Sequence, residues 1–593
     1  MFNWSPILLV LTAIISSSCS LSSSTTATMM STVKMPTPPI VYTIAGSDSG
    51  GGAGIQADLH AIHSMNCHGC SAITCLTAQS SVGVSGVHAP DPSFLKQQLD
   101  TIYDDLPPRA IKIGMLGTRE LTEVVGNFLK QVKSRSNDKV WVVLDPVMIS
   151  TSGSKLLEDD AIEAMIENIF PLADIITPNK FEAEALLKRE LKTPGDVENG
   201  ARDLLMLGCK AVLLKGGHTL IESKASSSEE EVPAEIQATL KYSQDYLLTA
   251  EEPPAEEDER LCDGCRGVWL RTPRWDSENT HGTGCTLSSA IAAAVALGEN
   301  ERKTAESPKG SLSSIQIIDA CCLAKAYVSS GIQRGVQLGK GPGPVAQTGF
   351  PSTYQNFPCI AMDPASDFQD FRPMHSFQRS PESKDGVPIL GRILPIVDTI
   401  EWVERLSKTP GVTDIQLRIK DETDPDRIAD RAQKCEEMCR EHGVRLWIND
   451  HWRAAVKAGC FGVHVGQEDL VQCMKAGGLE ELKKANIALG ISTHSYGELA
   501  AALAVKPTYI SLGPVFATSS KKVQFDPQGL DTVARWRKLI PPEIPFVTIG
   551  GIGGVDAAMA NREAGADCVA VIGAVTSAED VPGTVAKLND AMQ

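Results

Sequence analysis

Two glycine-rich turns in the first half of the chain carry residue types that could handle a phosphate group. Residues 45–54 read AGSDSGGGAG after an apolar run, and glycines at a strand-to-helix turn let backbone N–H groups approach a ligand closely. Residues 282–284 read Gly-Thr-Gly at the start of a second helix, where free N–H groups and the helix dipole attract negative charge. Such donors suit a phosphoryl group during its transfer.

A cysteine and an aspartate accompany these turns. Cys285 directly follows Gly282, Thr283 and Gly284, and the positive end of the helix dipole is expected to favour its thiolate. A thiolate at that place could take the proton from a substrate hydroxyl. Asp48 lies inside the first turn and could accept hydrogen bonds from a ligand. We therefore expect Cys285 to act as a base, although a buried structural cysteine is the alternative.

Three further charged residues follow apolar runs in the same half of the chain. Asp145 and Glu182 come after two successive runs, and Lys215 ends a third. Carboxylates at the carboxyl edge of a parallel sheet are placed to hold Mg²⁺ against ATP phosphates. Lys215 could reach the same phosphates. Each carboxylate taken singly could equally cap a helix.

The elements that must position these residues alternate between strand and helix. Helical stretches such as 53–65 and 159–169 separate buried strands, which predicts a doubly wound α/β domain with a largely parallel sheet. Residues 222–264 interrupt the pattern with Ser, Glu and Pro, and we expect a solvated insertion there whose removal is tolerated. The predicted strands are 40–44, 111–114, 140–144, 175–176 and 211–214.

A second repeating pattern of apolar runs occupies the C-terminal third of the chain, after a Pro- and Ser-rich linker predicted over residues 346–387. Eight short apolar runs with helical segments between them predict a small (β/α)₈ TIM barrel over residues 388–593. The eight runs are 393–397, 414–417, 445–448, 462–465, 487–491, 509–512, 545–549 and 568–572.

Polar residues follow nearly every predicted barrel strand, where barrel enzymes keep their active sites. Basic residues and two aspartates on one rim suit a magnesium-bound diphosphate, and glycines after the last two strands suit a second phosphate. The candidate site residues at these strand ends, including the apolar neighbours Leu417 and Ile419, are Gln416, Leu417, Arg418, Ile419, Lys420, Asn449, Asp450, Asp469, Ser492, Thr518, Ser519, Ser520, Lys521, Gly551 and Gly573.

Composition and charge limit the kinds of binding partner and the cellular compartment that are expected for this protein. A formal net charge of −18 argues against nucleic acid, which needs a concentrated basic face. The 16 cysteines are scattered, without the spacing that small disulfide-rich proteins show, which favours reduced thiols inside a cell.

The apolar run 6–15 is too short to span a membrane, and a Ser/Thr-rich stretch follows it. We expect residues 1–37 to be a cleavable plastid-targeting peptide, with translation from an internal methionine, giving a cytosolic enzyme, as the alternative. We expect a homo-oligomer that binds small molecules and no membrane.

The N-terminal motifs together resemble hydroxymethylpyrimidine (phosphomethylpyrimidine) kinases of the ribokinase superfamily, over residues 38–345. The resemblance rests on residues 44–48 (IAGSD), 50–58 (GGGAGIQAD), 76–79 (LTAQ), 112–116 (KIGML) and 281–285 (HGTGC). It implies a ribokinase-like fold and ATP-dependent phosphorylation of the pyrimidine alcohol and then of its monophosphate. It also implies that Gln79 hydrogen-bonds the aminopyrimidine, that Met115 lines its pocket, and that Asp145, Glu182 and Lys215 serve the nucleotide and Mg²⁺.

The barrel loops resemble thiamine phosphate synthases over about residues 388–593. The resemblance implies a dissociative condensation of the pyrimidine diphosphate with a thiazole phosphate, with Mg²⁺ held by Asp450 and Asp469. Gly573 stands where that family often has serine. The implied pyrimidine diphosphate contacts are Gln416, Leu417, Arg418, Ile419, Lys420, Asn449, Ser492 and Lys521. The implied thiazole phosphate contacts are Thr518, Ser519, Ser520, Gly551, Ile572 and Gly573.

Two alternatives stay open at this point. A related vitamin kinase, such as a pyridoxal kinase, could be fused to an unrelated phosphate-binding barrel, although Gln79 and Cys285 argue against it. The barrel could instead be a non-catalytic regulatory or thiazole-binding module, which the set of charged barrel-rim residues disfavours. The joint interpretation is stronger because the product of the first site is the substrate of the second.

Overall fold

Buried apolar runs form the strands of the N-terminal sheet, as their composition predicts. The computed structural model describes residues 37–136, 138–148, 157–216, 242–250, 265–304, 316–361, 389–518 and 526–593. The ten strands are β1 (Ile40–Asp48), β2 (His68–Ser80), β3 (Gly83–His88), β4 (Ala110–Ile113), β5 (Trp141–Leu144), β6 (Ile175–Ile176), β7 (Ala211–Lys215), β8 (Tyr242–Ala250), β9 (Cys265–Pro273) and β10 (Cys359–Ala361). All five predicted strands are confirmed, as β1, β4, β5, β6 and β7.

The sheet order is β10-β9-β8-β7-β6-β5-β4-β1-β2-β3. The strands from β2 to β7 in this order run parallel, and antiparallel strands complete both edges. The helices are α1 (Gly54–Ser64), α2 (Pro92–Asp105), α3 (Arg119–Arg135), α4 (Asp159–Asn168), α5 (Lys180–Leu187), α6 (Pro194–Leu205), α7 (Thr283–Thr304) and α8 (Ile317–Gln333).

Helices cover both faces of this sheet. Successive β1 residues point to opposite sides: Val41 belongs to the same buried cluster as residues of α1, α7 and α8, whereas Tyr42 belongs to a cluster with residues of α2, α3 and α4. Residues buried on both faces explain why the strands read as continuous apolar runs instead of alternating ones. The predicted doubly wound α/β domain is confirmed.

The segment predicted as a solvated insertion contains a core strand. β8 lies within residues 222–264, pairs with β7 and β9, and buries Tyr246, Leu247 and Leu248. Its apolar stretch is short and lies between acidic and Ser-rich sequences, so the hydrophobic pattern did not indicate a strand there. Residues 217–241 and 251–264 lie outside the described part of the chain.

Deleting residues 226–257 is therefore expected to unfold the N-terminal half, contrary to the tolerance expected from composition. The deletion removes β8, and the loss of even one buried Leu or Tyr side chain costs about 2–5 kcal/mol. Thermal unfolding of the purified deletion protein checks this. A deletion of residues 226–240, which leaves β8 in place, is the control and is expected to keep the fold; equal stability of the two deletions would contradict the role of β8.

The start of the predicted linker also belongs to the sheet. β10 pairs antiparallel with β9, and a 3₁₀ turn at Tyr354–Asn356 precedes it. Asn356 is buried and accepts hydrogen bonds from Trp275 and Ser329. The tenth strand was not predicted because three residues among prolines and lone aromatics give no periodic signal. Residues 362–387, the rest of the predicted linker, and residue 388 lie outside the described chain.

The C-terminal part is a closed barrel of eight parallel strands in sequential order, as predicted. The strands are β11 (Ile393–Val397), β12 (Asp414–Leu417), β13 (Arg445–Asn449), β14 (Gly462–Val465), β15 (Ala488–Thr493), β16 (Tyr509–Leu512), β17 (Phe546–Ile549) and β18 (Cys568–Val571). The helices are α9 (Ile400–Ser407), α10 (Pro425–Glu441), α11 (Trp452–Ala458), α12 (Gln467–Lys475), α13 (Gly478–Lys484), α14 (Tyr496–Val505), α15 (Gly529–Leu539), α16 (Val555–Glu563), α17 (Gly573–Thr576) and α18 (Val581–Ala591).

Residues 38–593 form one compact unit in which the sheet domain contacts the barrel. The buried Asp319 carboxylate at the start of α8 accepts a hydrogen bond of 2.7 Å from the backbone N–H of Gly497 in α14. The rings of Phe350 and Phe357 pack against the ring of Tyr496, with centroid distances of 6.5 and 6.4 Å. The two domains are thus joined by a packed interface. Among the described helices, none combines the length and apolarity that crossing a membrane requires.

Candidate active sites

The two glycine-rich turns meet in space although 230 residues separate them in sequence. A Cβ at Gly282 would lie 2.0 Å from the Gly52 carbonyl oxygen, and one at Gly52 would lie 2.3 Å from His281 Cδ2. Gly282 has a φ of +79°, so both its backbone conformation and this contact require glycine. The resulting pair of turns lies at the N-terminus of α7, where the sequence predicted a phosphoryl-binding site.

The Asp48 carboxylate holds the first turn together. It accepts hydrogen bonds from the backbone N–H groups of Gly50, Gly52 and Ala53 at 2.8, 3.1 and 2.8 Å, and it lies 3.3 Å from His281 Nε2. Burial raises the pKa of Asp48, but hydrogen bonds from His281, Gly50 and Ala53 outweigh it and hold the pKa below its ordinary value. Asp48 therefore shapes the loop, a role the sequence did not predict.

The surroundings of Cys285 disfavour its thiolate form. Burial raises the pKa of its thiol to about 11, with Asp58 and Asp145 adding to the rise, while the Lys112 ammonium and a hydrogen bond from the Gly54 backbone lower it. Desolvation of the charged sulfur thus opposes the expected effect of the helix dipole at the start of α7, and the assignment of Cys285 as a base stays a prediction. Any role of Cys285 as a base then requires its proton to leave during the reaction.

Asp145, Lys215 and Glu182 converge beside the N-terminus of α7. Lys215 Nζ lies 2.8 Å from Asp145 Oδ1, and a Cβ at Gly284 would lie 3.2 Å from Lys215 Nζ and 3.4 Å from Asp145 Oδ2. Burial raises the pKa of Glu182 to about 7, an effect that Lys215 opposes and Asp145 reinforces. Two carboxylates beside one ammonium fit the oxygen ligands that Mg²⁺ prefers when it comes with a nucleotide.

Glu182 also caps a helix, the alternative role considered for it. Its carboxylate accepts a hydrogen bond of 2.7 Å from the backbone N–H of Asn179, and the Asn179 side chain accepts one of 2.9 Å from the N–H of Glu182. This reciprocal capping box fixes the start of α5. It leaves the buried carboxylate at the cavity wall.

Every N-terminal residue singled out from the sequence lines one cavity of about 860 Å³. Gln79 reaches it from a β-bulge in β2, where its backbone N–H donates to Ser49 Oγ at 2.8 Å. Met115 reaches it from the loop after β4, where its carbonyl accepts a hydrogen bond from Thr74. The shared lining set is Asp48, Gln79, Met115, Asp145, Glu182, Lys215, Gly282, Thr283, Gly284 and Cys285.

Two buried ion pairs at this cavity were missed in the sequence. Lys112 Nζ lies 2.8 Å from Asp58 Oδ2, and both side chains are completely buried. Lys325 Nζ lies 2.6 Å from Asp245 Oδ2, at a part of the cavity lined by α8. A lysine inside an apolar strand such as β4 signals a buried charge, which needs a partner. The partner is not visible in sequence because Asp58 lies 54 residues away.

The barrel presents a row of polar side chains on its inner face, near the carboxyl ends of its strands. Alternate strand residues point inward, which places Gln416, Asn449, His464 and Ser492 on the inner face of β12 to β15. Gln416 Nε2 donates to Asn449 Oδ1 at 2.6 Å, and His464 Nε2 lies 2.8 Å from Ser492 Oγ. The sequence identified three of these four; His464 was missed.

The same alternation takes Leu417 and Ile419 away from the barrel mouth. Both side chains are buried in the apolar layer between the barrel strands and the outer helices. Their predicted contact with the pyrimidine diphosphate is therefore not a side-chain contact and could involve only their backbones. Arg418 is half-buried and Lys420 exposed, so both side chains lie at the solvent-accessible rim.

Asp450 and Asp469 follow two adjacent strands, β13 and β14. Asp450 has a φ of +67°, an unusual conformation for a residue other than glycine, and its backbone N–H donates to the His464 carbonyl at 2.8 Å. Asp469 lies in the first turn of α12. Within the described ranges, no group of three His, Cys, Asp or Glu residues could hold a metal alone. Two carboxylates fit Mg²⁺ that is shared with a substrate phosphate.

The last two barrel strands end in an open, glycine-lined loop pair. Gly550 and Gly551 have φ values of +96° and +68°, and a Cβ at Gly551 would lie 2.6 Å from the Ala517 carbonyl oxygen. Glycine is required there so that this loop can approach the loop after β16. Thr518 lies on that second loop, whereas the predicted site residues Ser519, Ser520 and Lys521 lie outside the described chain. The partly buried Ile572 packs at the end of β18 against the core inside the barrel.

Replacing Gly573 by serine is expected to be tolerated and to lower the KM for thiazole phosphate about threefold to tenfold. No atom lies within 4 Å of a Cβ at Gly573, so the added hydroxyl has room to donate a hydrogen bond to the phosphate, a gain of about 1 kcal/mol. Steady-state condensation kinetics measure the change, with Gly573→Ala as the control that adds volume without a donor. An equal KM for the serine and alanine variants would remove Gly573 from the phosphate site.

Both halves of the chain match known families. The phosphomethylpyrimidine kinase family model matches residues 48–346, and the thiamine monophosphate synthase model matches residues 388–575. A chloroplastic thiamine biosynthetic bifunctional enzyme of Arabidopsis thaliana is 32% identical over 543 residues, which cover 89% of this chain and 88% of that protein. The chain belongs to the family of bifunctional thiamine biosynthetic enzymes.

Relatives of the N-terminal half alone are also found. A hydroxymethylpyrimidine/phosphomethylpyrimidine kinase of Haemophilus influenzae is 37% identical over 51% of this chain and 94% of that protein. A kinase with the same description from Synechococcus elongatus is 35% identical over 52% of this chain and 96% of that protein. The bifunctional enzyme thus joins a unit that exists separately elsewhere to a barrel, and both family resemblances expected from sequence are confirmed. The roles of individual residues stay predictions.

Proposed function

We propose that this bifunctional enzyme makes thiamine phosphate in consecutive steps at two sites. The N-terminal site phosphorylates 4-amino-5-hydroxymethyl-2-methylpyrimidine with ATP, and then phosphorylates the monophosphate to the diphosphate. The barrel joins that diphosphate to 4-methyl-5-(2-phosphoethyl)thiazole, releasing diphosphate. One observation carries the proposal: the Gly-Thr-Gly-Cys turn closes against the first glycine turn over a cavity that also takes in Gln79, Asp145 and Lys215.

Positioning and charge stabilisation supply most of the kinase catalysis in this proposal. Backbone N–H groups of Gly282, Thr283 and Gly284 hold the transferred phosphoryl group at the start of α7, and the Lys215 ammonium neutralises phosphate charge. Asp145 and Glu182 would hold Mg²⁺, which would neutralise negative charge on the nucleotide phosphates. Gln79 and Met115 orient the pyrimidine so that its hydroxyl oxygen faces the terminal phosphorus.

The Cys285 sulfur receives the hydroxyl proton late in this reaction. Phosphoryl transfer passes through a loose transition state in which the attacking oxygen keeps its proton for most of the way. As the new O–P bond forms, the oxygen becomes acidic, and a thiolate is then a competent acceptor. The thiolate state must first be reached by loss of the thiol proton, which neighbouring Lys112 favours.

Condensation at the barrel begins with loss of diphosphate. The bond between the pyrimidine methylene carbon and the diphosphate oxygen breaks, and its electron pair leaves with the diphosphate, whose charge the basic rim residues stabilise. Mg²⁺ held by Asp450 and Asp469 would supply further charge neutralisation there. The thiazole nitrogen then donates its lone pair to the methylene carbon. The residues assigned to the diphosphate and its Mg²⁺ are Gln416, Arg418, Lys420, Asn449, Asp450, Asp469, Ser492 and Lys521. Those assigned to the thiazole phosphate are Thr518, Ser519, Ser520, Gly551, Ile572 and Gly573.

We also propose a plastid location, because the Arabidopsis relative is described as chloroplastic and the first residues of this chain have the composition of a transit peptide. Residues 1–36 lie outside the described chain. Import of a fusion between residues 1–37 and a fluorescent protein into isolated chloroplasts, with cleavage, tests this. The homo-oligomer expected from sequence stays a prediction, which the molar mass of the purified chain in solution decides.

A substrate panel distinguishes the kinase proposal from a pyridoxal kinase. The purified full chain is given ATP, Mg²⁺ and either hydroxymethylpyrimidine, its monophosphate or pyridoxal, and phosphorylated products are followed by mass. We expect kcat/KM for the two pyrimidines to exceed that for pyridoxal by at least about a hundredfold, since the half-buried Gln79 amide, assigned to the aminopyrimidine, penalises a ring that leaves it unpaired once the ligand covers it. A preference for pyridoxal would overturn the assignment of the first site.

A further inference from the structure

Beneath the barrel mouth, three inner-face side chains form a continuous hydrogen-bonded chain. The Tyr509 hydroxyl oxygen lies 2.8 Å from His464 Nδ1, and His464 Nε2 lies 2.8 Å from Ser492 Oγ. Tyr509 is completely buried, and its ring stacks on the imidazole of His464 at 5.6 Å with an interplanar angle of 14°. Only Ser492 has an expected role among these three, so the other two residues need an explanation.

Other residues inside the barrel hold these three hydrogen-bonded side chains in place. A Cβ at Gly490 would lie 2.2 Å from Tyr509 Cζ, and one at Gly462 would lie 2.4 Å from Trp447 Cε3. Glycines at these two inner positions therefore leave room for the Trp447 and Tyr509 rings, whose centroids lie 4.9 Å apart. Below them, Asp414 accepts hydrogen bonds from Trp447 and Arg445. The Tyr509 ring is thus fixed from below, and its hydroxyl points along the barrel towards the mouth.

The direction of the hydrogen bonds follows from the acidity of the three groups. Burial raises the pKa of Tyr509 far above its ordinary value, so the hydroxyl keeps its proton. A phenol is a stronger hydrogen-bond donor than a neutral imidazole, and an imidazole nitrogen is the stronger acceptor. Tyr509 therefore donates to Nδ1, and because Nδ1 accepts this bond, Nε2 is the ring nitrogen that carries a hydrogen towards Ser492. His464 then donates to Ser492 Oγ.

This direction decides what Ser492 can do. Because its oxygen already accepts a hydrogen bond from His464, its own hydrogen must point elsewhere, towards the barrel mouth. Gln467 Nε2 donates to the Ser492 carbonyl at 2.6 Å and fixes the backbone from the other side. With the reverse polarity, Ser492 would donate to His464 and present only a lone pair to an anion.

We propose that Tyr509 and His464 are positioning residues that orient the Ser492 hydroxyl as a hydrogen-bond donor to the departing diphosphate. The inference rests on the proposed synthase activity of the barrel and adds two residues to it. A donor held in place stabilises negative charge on the leaving diphosphate oxygen more than a freely rotating hydroxyl does, since no reorganisation is needed as charge develops. The effect is expected in kcat for condensation and not in binding of the thiazole phosphate.

A double-mutant cycle tests the proposal in the full chain. Tyr509→Phe removes the hydroxyl and keeps the ring, and we expect it to lower kcat for condensation about fivefold to tenfold, the effect of one oriented hydrogen bond. Ser492→Ala should lower kcat at least as much. In the Ser492→Ala background, Tyr509→Phe should have almost no further effect, because the hydroxyl that it orients is already absent. The KM for thiazole phosphate should change less than twofold.

Controls separate this role from a structural one. Ser511→Ala removes another buried inner-face hydroxyl, on the strand next to Ser492, and should leave condensation unchanged. The kinase rate of each variant reports on folding of the N-terminal domain, and near-UV circular dichroism of the aromatic residues compared with the wild type reports on folding of the barrel. Equal losses from Tyr509→Phe in the wild-type and Ser492→Ala backgrounds would overturn the proposal. If Tyr509→Phe does not fold, His464→Gln serves in the same cycle, and additivity there would overturn it equally. Absence of condensation by the wild-type chain would instead refute the synthase assignment itself.

Discussion

Replacing Cys285 by serine is expected to lower the rate of pyrimidine phosphorylation by about two to four orders of magnitude, the usual contribution of a positioned general base. A serine hydroxyl is far less acidic than a thiol, so its anion is not available to accept the substrate proton. ATP affinity should change little, because Asp145, Glu182 and Lys215 are untouched. Single-turnover phosphorylation and equilibrium binding of a non-hydrolysable ATP analogue measure the two effects separately.

The pH dependence of the wild-type enzyme gives a second measurement of the same prediction. Only the thiolate can act as the base, and the pKa of the Cys285 thiol is about 11. The kinase kcat/KM should therefore rise by about tenfold per pH unit between pH 7.5 and 9.5. This range lies above the pKa of Glu182, about 7, so ionisation of that carboxyl does not contribute. The Cys285→Ser variant should lack the rise.

Cys209→Ser is the matched control for Cys285. Cys209 is also buried in the N-terminal domain, and its thiol contacts the Leu204 carbonyl at 3.6 Å, a hydrogen bond that a serine can replace. It does not line the cavity. We expect Cys209→Ser to keep the wild-type kinase rate. A Cys285→Ser enzyme with undiminished turnover, or a wild-type rate that is flat above pH 7.5, would exclude Cys285 as the base.

The second large effect is expected at the barrel. Asp469→Ala should reduce thiamine phosphate formation by about a hundredfold or more, because a metal ion that neutralises a leaving diphosphate contributes several kcal/mol to the transition state. Raising the Mg²⁺ concentration should restore part of the rate if the remaining Asp450 still binds weakly. Condensation is measured with the pyrimidine diphosphate supplied directly, so that the result does not depend on the kinase.

Glu468→Ala provides the control for this variant. Glu468 precedes Asp469 in the first turn of α12, carries the same charge and is exposed. Its loss changes the local field by the same amount but removes no assigned ligand, so condensation should be unchanged. Kinase rates should be unaffected in both variants. Equal losses from the two substitutions would show that general charge at this rim, and not a metal ligand, is what matters.

The sequence predicted the scaffold well where burial leaves a periodic signal. All eight barrel runs coincide with β11 to β18 to within a residue or two at each end, because each strand is short, apolar and separated from the next by a helix. Five of the ten sheet strands, β2, β3, β8, β9 and β10, were not predicted. β8 lies inside an acidic segment, and β10 is three residues long, so only pairing with distant partners reveals them.

The sequence predicted which residues belong to each site, but it did not predict their burial, their pKa values or the direction of their side chains. The contact between Gly52 and Gly282 follows from the parallel sheet, since both turns lie at the carboxyl edge of its strands. The protonation of Cys285 could not be predicted, because it depends on desolvation and on Lys112, which only the folded chain brings near. The inward or outward direction of Gln416, Leu417, Arg418 and Ile419 could have been predicted from strand alternation alone.

The hydrogen-bonded chain from Tyr509 to Ser492 shows a further limit of sequence reasoning. Tyr509, His464 and Ser492 lie on three different strands, each inside an apolar run, and none belongs to a local motif with the others. A histidine within a buried strand is the one available signal, because a buried imidazole requires hydrogen-bond partners. Their identity depends on the inter-strand register.

The most direct test of two complementary sites in one chain is a single-vessel reaction. The purified chain receives hydroxymethylpyrimidine, ATP, Mg²⁺ and 4-methyl-5-(2-phosphoethyl)thiazole, and products are identified by mass. We predict thiamine phosphate, diphosphate and ADP, with thiamine phosphate lost when either Cys285→Ser or Asp469→Ala is used and regained when the two variant proteins are mixed. Accumulation of pyrimidine diphosphate without thiamine phosphate, or no phosphorylated pyrimidine at all, would contradict the account.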